Sequence, residues 1–196
     1  CVQAAPDADV ERLKDGNNGG DWAAYGRTNG EQHFSPLTQI NAGNISQIGL
    51  AWSIDLPLGN SVSEPLAVAG ILYYITGYSV VNAADAKTGK VLWSYDPKTY
   101  EKAGAKLGVG WGARGLAWWK GKLYVGTQDG RLIAIDAKTG KEVWSQQTLP
   151  ADNMDYITGP PRIFGGKVII GFGGADVGYA RGYVTTYDAE TGKQLW

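Results

Sequence analysis

One pattern recurs three times along this chain, as AADAKTGKVLW at 83–93, AIDAKTGKEVW at 134–144 and TYDAETGKQLW at 186–196. Its aspartates, Asp85, Asp136 and Asp188, lie 51 and 52 residues apart. A constant period of that size is one four-stranded blade with its loops, so the chain reads as consecutive blades of a β-propeller.

Each copy has a physical reading. The residues before the aspartate are apolar, as in LIAID at 132–136, which marks a strand. The aspartate opens a turn by accepting from backbone N–H groups two residues on. Gly89, Gly140 and Gly192 supply the left-handed position that closes the hairpin. The next strand ends in Trp93, Trp144 or Trp196. A tryptophan at a fixed place in every blade is expected to wedge between neighbouring blades and to bond its N–H to backbone. Within each period an inner hairpin also recurs, as PLAVAGILYYI at 65–75, GLAWWKGKLYVGT at 115–127 and PPRIFGGKVIIGF at 160–172. Its glycines mark the turns and its apolar residues alternate on either side. Trp118 and Trp119 are expected in the core.

Composition agrees with an all-β chain. Glycine is abundant at 29 residues, and 8 Trp and 11 Tyr stand against one Met, which suits tight turns and pleated surfaces. The net charge of -1 and the lack of a basic patch argue against a nucleic-acid partner. No apolar run has the length needed to cross a bilayer, and no secretory leader is visible. The one cysteine, Cys1, excludes a disulfide framework within the chain. A first-position cysteine is where a bacterial lipoprotein carries its lipid, and it is equally read as the remnant of a processed leader. Two regions follow: 1–50, an arm with the start of a strand (QIGLAWSIDL) expected to complete a blade elsewhere, and 51–196, a partial propeller with blade ends near 93, 144 and 196. Three blades leave strand edges open, so the chain is expected to be the N-terminal part of a longer propeller.

The segment DWAAYGRTNGEQHFSPLTQIN at 21–41, the run from Ile157 through GPPRIFGGKVIIGFGGADVGYARGYVTTYDAETGKQLW and the three repeats resemble the quinoprotein alcohol dehydrogenases, which use pyrroloquinoline quinone (PQQ). That resemblance spans residues 21–196 and implies an eight-bladed propeller with tryptophan-docking motifs, carrying PQQ and calcium on its axis. PQQ is a planar quinone with three carboxylates. Its pocket needs a guanidinium, hydroxyl and backbone donors, flat apolar walls and a divalent cation at the quinone oxygen.

By resemblance, Arg114 in WGARGLAWW matches the arginine that contacts PQQ oxygens, with a surface or inter-blade ion pair as its structural alternative. Thr158 in YITGPP matches a threonine that bonds a PQQ carboxylate. Gly173, Gly174 and Ala175 match a small run whose backbone approaches the cofactor, although glycines also make ordinary turns, and Gly173 stands where a serine is often found. Asp176 falls where a calcium-binding glutamate is common. Its carboxylate reaches one carbon less far, and a plain turn aspartate is the alternative. Two departures stand out. Gly108 and Val109 occupy the place of an adjacent cysteine pair that covers one face of PQQ, leaving Trp111 to cover the ring or to serve the core. A PQQ-binding glutamate three residues before the inner-strand proline is here Val62, and Glu64, directly before Pro65, serves from the neighbouring rung or faces solvent. His33 is read as structural, and Asp21, Trp22, Tyr25, Gly26 and Arg27 as fixing the arm to the propeller.

The resemblance implies oxidation of an alcohol to an aldehyde or ketone, with electrons passed to a cytochrome c or a quinone, in the periplasm. The family's catalytic base, an aspartate of a later blade, falls beyond Trp196, so no catalytic residue is assigned here and the isolated chain is expected not to turn over. Calcium is the expected metal, with a lanthanide left open. Two rivals remain: a lipid-anchored propeller scaffold of outer-membrane assembly, and a sugar-oxidising quinoprotein.

Overall fold

A computed structural model describes residues 19–196 apart from 58, 60–62, 109–111, 151, 153 and 175–180. Three antiparallel sheets follow one another along the chain, each built outward from its first strand. The first comprises β1 (Leu66–Val68), β2 (Ile71–Thr76), β3 (Val80–Asp85) and β4 (Val91–Tyr95). The second comprises β5 (Ala117–Trp119), β6 (Lys122–Gly126), β7 (Arg131–Asp136) and β8 (Glu142–Gln147). The third comprises β9 (Arg162–Phe164), β10 (Lys167–Gly171) and β11 (Val184–Asp188), with Gln194 bridging to Tyr187 where a fourth strand would run. Neighbours in sequence are neighbours in each sheet, the up-and-down order of a propeller blade.

The turns follow from residue chemistry. The inner hairpins close through Ala69–Gly70, Lys120–Gly121 and Gly165–Gly166, all at positive φ, the left-handed pair of a two-residue hairpin loop. In the outer hairpins the carboxylate of Asp136 accepts from the N–H of Thr139 at 2.7 Å and from its hydroxyl at 2.7 Å. Asp85 with Thr88 and Asp188 with Thr191 repeat this arrangement. The threonine hydroxyl is the main reason each of these exposed carboxyls is held below its ordinary value.

The sheets are joined by their tryptophans as the repeat implied. Trp93 Nε1 donates to the carbonyl of Ala137 in the second sheet at 3.1 Å, and Trp144 Nε1 to that of Ala189 in the third at 3.1 Å. The same two carbonyls accept the hydroxyls of Tyr73, at 3.4 Å, and Tyr124, at 3.0 Å. Each interface therefore closes on a paired Tyr and Trp, with ring centroids 6.1 and 5.8 Å apart. Burial pushes both tyrosine hydroxyls up. Between the sheets Leu123, Tyr124, Ile133, Ile135, Ile157 and Val168 are fully buried, and one apolar cluster runs through all three. Trp118 and Trp119 belong to it.

Residues 47–56 are the segment expected to complete a blade elsewhere. They form no ladder with described residues, and Leu50 is 86% exposed. Trp52 nevertheless docks on the first sheet as the repeat tryptophans do on the next, its Nε1 donating to Ala86 at 3.2 Å.

The arm lies against the inner strands. Trp22 pairs antiparallel with Ala67, and Asp21 accepts from the N–H of Ala69 at 2.8 Å. Tyr25 stacks under the guanidinium of Arg162, 4.3 Å from the ring centroid, and Glu31 pairs with that arginine at 2.7 Å. His33 packs edge-on to Tyr25 with centroids 5.5 Å apart, a structural contact. No helix among the described residues is long and apolar enough to cross a membrane.

Candidate cofactor-binding site

The chain entering each inner strand meets its neighbours edge to edge. The N–H of Glu64 donates to Arg114 O at 3.2 Å, and the N–H of Arg114 donates to Thr158 O at 2.9 Å. Arg114 and Thr158, 44 positions apart in sequence, become adjacent through this sheet-to-sheet ladder. Arg114 Nε also reaches the Thr158 carbonyl at 3.4 Å, which ties the base of an exposed guanidinium to the wall. Thr158 is buried.

These residues line a hollow of about 260 Å³ with Gly159, Pro160, Gly171, Phe172 and Gly173. Three of the residues singled out in the sequence, Arg114, Thr158 and Gly173, therefore share one cavity. Phe172 and Pro160 were missed. The signal for Phe172 was an aromatic standing inside the small-residue run IIGFGG. Phe172 is held by an edge contact with Tyr183, centroids 4.4 Å apart.

Gly173 and Gly174 have a reason of their own to be glycine. Gly173 pairs antiparallel with Tyr156, and a Cβ on it would stand 2.8 Å from that ring. Gly174, at φ +124°, would place a Cβ 2.9 Å from Asp155 Oδ1. The close approach is made by this chain's own Tyr156 and Asp155, whatever else the run contacts.

Glu64 does not simply face solvent, the second of the two roles read for it in the sequence. Its Oε1 accepts from Trp22 Nε1 and from the N–H of Gly26, both at 2.8 Å, so the carboxylate is turned to the arm. The physical reason is that these two donors, one indole and one backbone, lie within reach of a partly buried carboxylate. Trp111, Ala175 and Asp176 lie outside the described residues, as do Val62 and Val109. Among the described residues no three His, Cys, Asp or Glu side chains cluster as a metal site. Close by, Lys106 is buried and donates to Pro150 O at 3.4 Å. Burial lowers its pKa against the opposing pull of Asp129, Asp155 and Asp152.

A second hollow, also about 260 Å³, lies beneath the arm between Ala23, Tyr25, Trp118, Arg162 and Phe164. Its one guanidinium is committed to Glu31. The Arg114 hollow differs in that its guanidinium belongs to an exposed residue whose Nε reaches a backbone carbonyl.

Comparison with known proteins decides the family. The domain described as "PQQ: Glucose/ethanol/alcohol dehydrogenase, beta-propeller domain" matches residues 22–196. The chain belongs to this family. As a quinoprotein propeller it is 49% identical over 188 residues to the dehydrogenase subunit of an alcohol dehydrogenase (quinone) from Gluconobacter oxydans, covering 92% of the chain and 25% of that protein. It is 50% identical over 179 residues to the quinohemoprotein alcohol dehydrogenase ADH-IIG of Pseudomonas putida, covering 90% and 25%. The crystal structure of the quinohemoprotein alcohol dehydrogenase from Comamonas testosteroni superposes with a TM-score of 0.85 at 46% identity, over 96% of this chain and 29% of that one. The chain thus spans about a quarter of the length of the curated relatives it matches.

The residues present fit the quinone that names this family. An exposed guanidinium, a threonine hydroxyl, glycine backbone and the apolar surfaces of Phe172 and Pro160 surround one cavity. That is the donor set a flat tricarboxylate requires.

Proposed function

We propose that the protein carrying this chain is a PQQ-dependent dehydrogenase oxidising an alcohol to an aldehyde or ketone, and that this chain supplies one wall of its cofactor site. The observation that carries the reading is the convergence of Arg114 and Thr158 on one hollow through the Arg114 N–H to Thr158 O bond. Arg114 binds cofactor carboxylate oxygens through its fork of N–H donors, and Thr158 adds a hydroxyl donor. Phe172 and Pro160 exclude water from one side of the site. When bound, the quinone supplies the hydride acceptor, with a divalent cation polarising the accepting carbonyl.

Calcium is the proposed metal, with Asp176 as one ligand, and a lanthanide in the same place is the alternative. Electrons leave to a cytochrome c or a quinone, the second being the acceptor in the name of the Gluconobacter relative. The proposed compartment is the periplasm. Nearly half identity to alcohol dehydrogenases favours this reading over a scaffold.

The test is a titration of the full-length protein with PQQ and calcium. A saturable change in quinone absorbance, followed by alcohol-dependent dye reduction, is expected. No saturable change would remove the reading. The 196-residue chain alone, with no base assigned in it, is expected to reduce no dye.

A further inference from the structure

The arm touches all three inner strands. It pairs with Ala67 ahead of the first hairpin turn, places Tyr25 beside Gly115, and holds Arg162 through Glu31. Tyr25 Cδ2 lies 3.7 Å from where a Cβ of Gly115 would stand. Glu64 joins this brace to the cofactor wall, because its two ends do different work. Its side chain gathers Trp22 Nε1 and the Gly26 N–H from the arm. Its backbone pairs in parallel with Gly115 and donates to Arg114 O. Arg114 in turn donates to Thr158 O.

We infer that Glu64 is a positioning residue: by clamping the arm it fixes the strand segment that presents Arg114 and Thr158, and it makes no contact with the cofactor itself. The inference rests on the cofactor reading above for its binding arm, and on the structure alone for its backbone arm. A carboxylate fixed by two donors holds its own Cα in place, and the ladder passes that position to Arg114 across one hydrogen bond and to Thr158 across a second. Groups that only orient a ligand-binding residue can still change affinity by roughly 10–100-fold when lost. Glutamine is the discriminating substitution. Its amide oxygen can still accept from Trp22 and Gly26, but it carries no charge to offer a metal or a polyanion.

The experiment compares full-length wild type, Glu64→Ala and Glu64→Gln without cofactor by hydrogen exchange, then by PQQ titration with calcium. For Glu64→Ala, exchange at residues 113–116 is expected to rise, with PQQ affinity falling about tenfold. Glu64→Gln is expected to restore both to within about threefold of wild type. Unchanged exchange at 113–116 in Glu64→Ala overturns the inference. So does a Glu64→Gln protein with wild-type exchange but affinity as poor as Glu64→Ala, since that pattern belongs to a carboxylate meeting cofactor or metal directly. If Glu64→Ala does not fold, Trp22→Phe removes one of the two donors and is judged by the same criteria. If wild type binds no PQQ, the cofactor reading fails, while the exchange comparison still decides the clamp.

Discussion

Gly140 sits where the indole of Trp93 leaves no room for a side chain: a Cβ on it would stand 2.6 Å from Trp93 Cδ2. Gly89 against Trp52 and Gly192 against Trp144 repeat the relationship. The repeat glycine therefore has two jobs, a left-handed φ and a floor for the tryptophan of the preceding blade.

Those two jobs can be separated. Gly121 has φ +70°, the same as Gly140, but nothing within 4 Å of its missing Cβ. Gly121→Ala is expected to cost only the left-handed strain, about 1–2 kcal/mol. Gly140→Ala is expected to cost a further 1–3 kcal/mol or so from overpacking against Trp93. Urea unfolding of the two variants checks this, and equal losses would show that the tryptophan floor contributes nothing.

The turn aspartates predict an acid-side dependence. The Thr139 hydroxyl and N–H hold the Asp136 carboxyl below its ordinary 3.8. A folded value below the unfolded one gives stability that is fully present above 3.8 and is lost as pH falls through the folded value. Asp136→Asn is therefore expected to melt lower than wild type near neutrality, with the gap closing from about pH 4 downward. Thermal unfolding from neutral to acidic buffer is the measurement. A gap that stays constant with pH would refute the linkage.

Gly173→Ser would introduce the serine that the resemblance suggests at this place, but here its Cβ meets the Tyr156 ring at 2.8 Å. The expected result is a loss of about 1–3 kcal/mol from overpacking, not a new cofactor hydrogen bond. Denaturant unfolding together with a PQQ titration distinguishes the two. A variant of wild-type stability that binds PQQ more tightly would contradict the prediction.

Arg114→Lys keeps the charge and loses the planar fork. Affinity for PQQ is expected to fall about tenfold or more, because a point charge cannot pair a carboxylate through two N–H groups. Thr158→Val removes the hydroxyl at nearly constant shape and is expected to weaken binding by roughly tenfold, the equivalent of one hydrogen bond. Equilibrium titration of the full-length variants reads both effects. Wild-type affinity in either would move the cofactor away from this hollow.

Local chemistry was legible before any coordinates. The Asp-to-Gly turns, the inner hairpins and the inter-blade tryptophans follow from residues close together in sequence. The structure shows them with the Thr139 hydroxyl and the paired Tyr124 added. Arg114, Thr158 and Gly173 were found only through resemblance, since an arginine beside glycine and a threonine before glycine have ordinary structural uses. The bonds of Glu64 to Trp22 and Gly26 were not legible because they cross 42 and 38 positions of sequence.

The sequence by itself determined the repeat and the class of fold, because turn residues, strand alternation and period are properties of neighbouring positions, and it offered candidate polar groups only through resemblance. Only the tertiary structure decided which of those groups share a cavity and which are spent elsewhere. Arg114 meets Thr158, and Glu64 meets the arm, through contacts between inner strands and arm that no local pattern encodes. Such contacts depend on how three sheets pack around their tryptophans, and that packing exists only once the chain has folded.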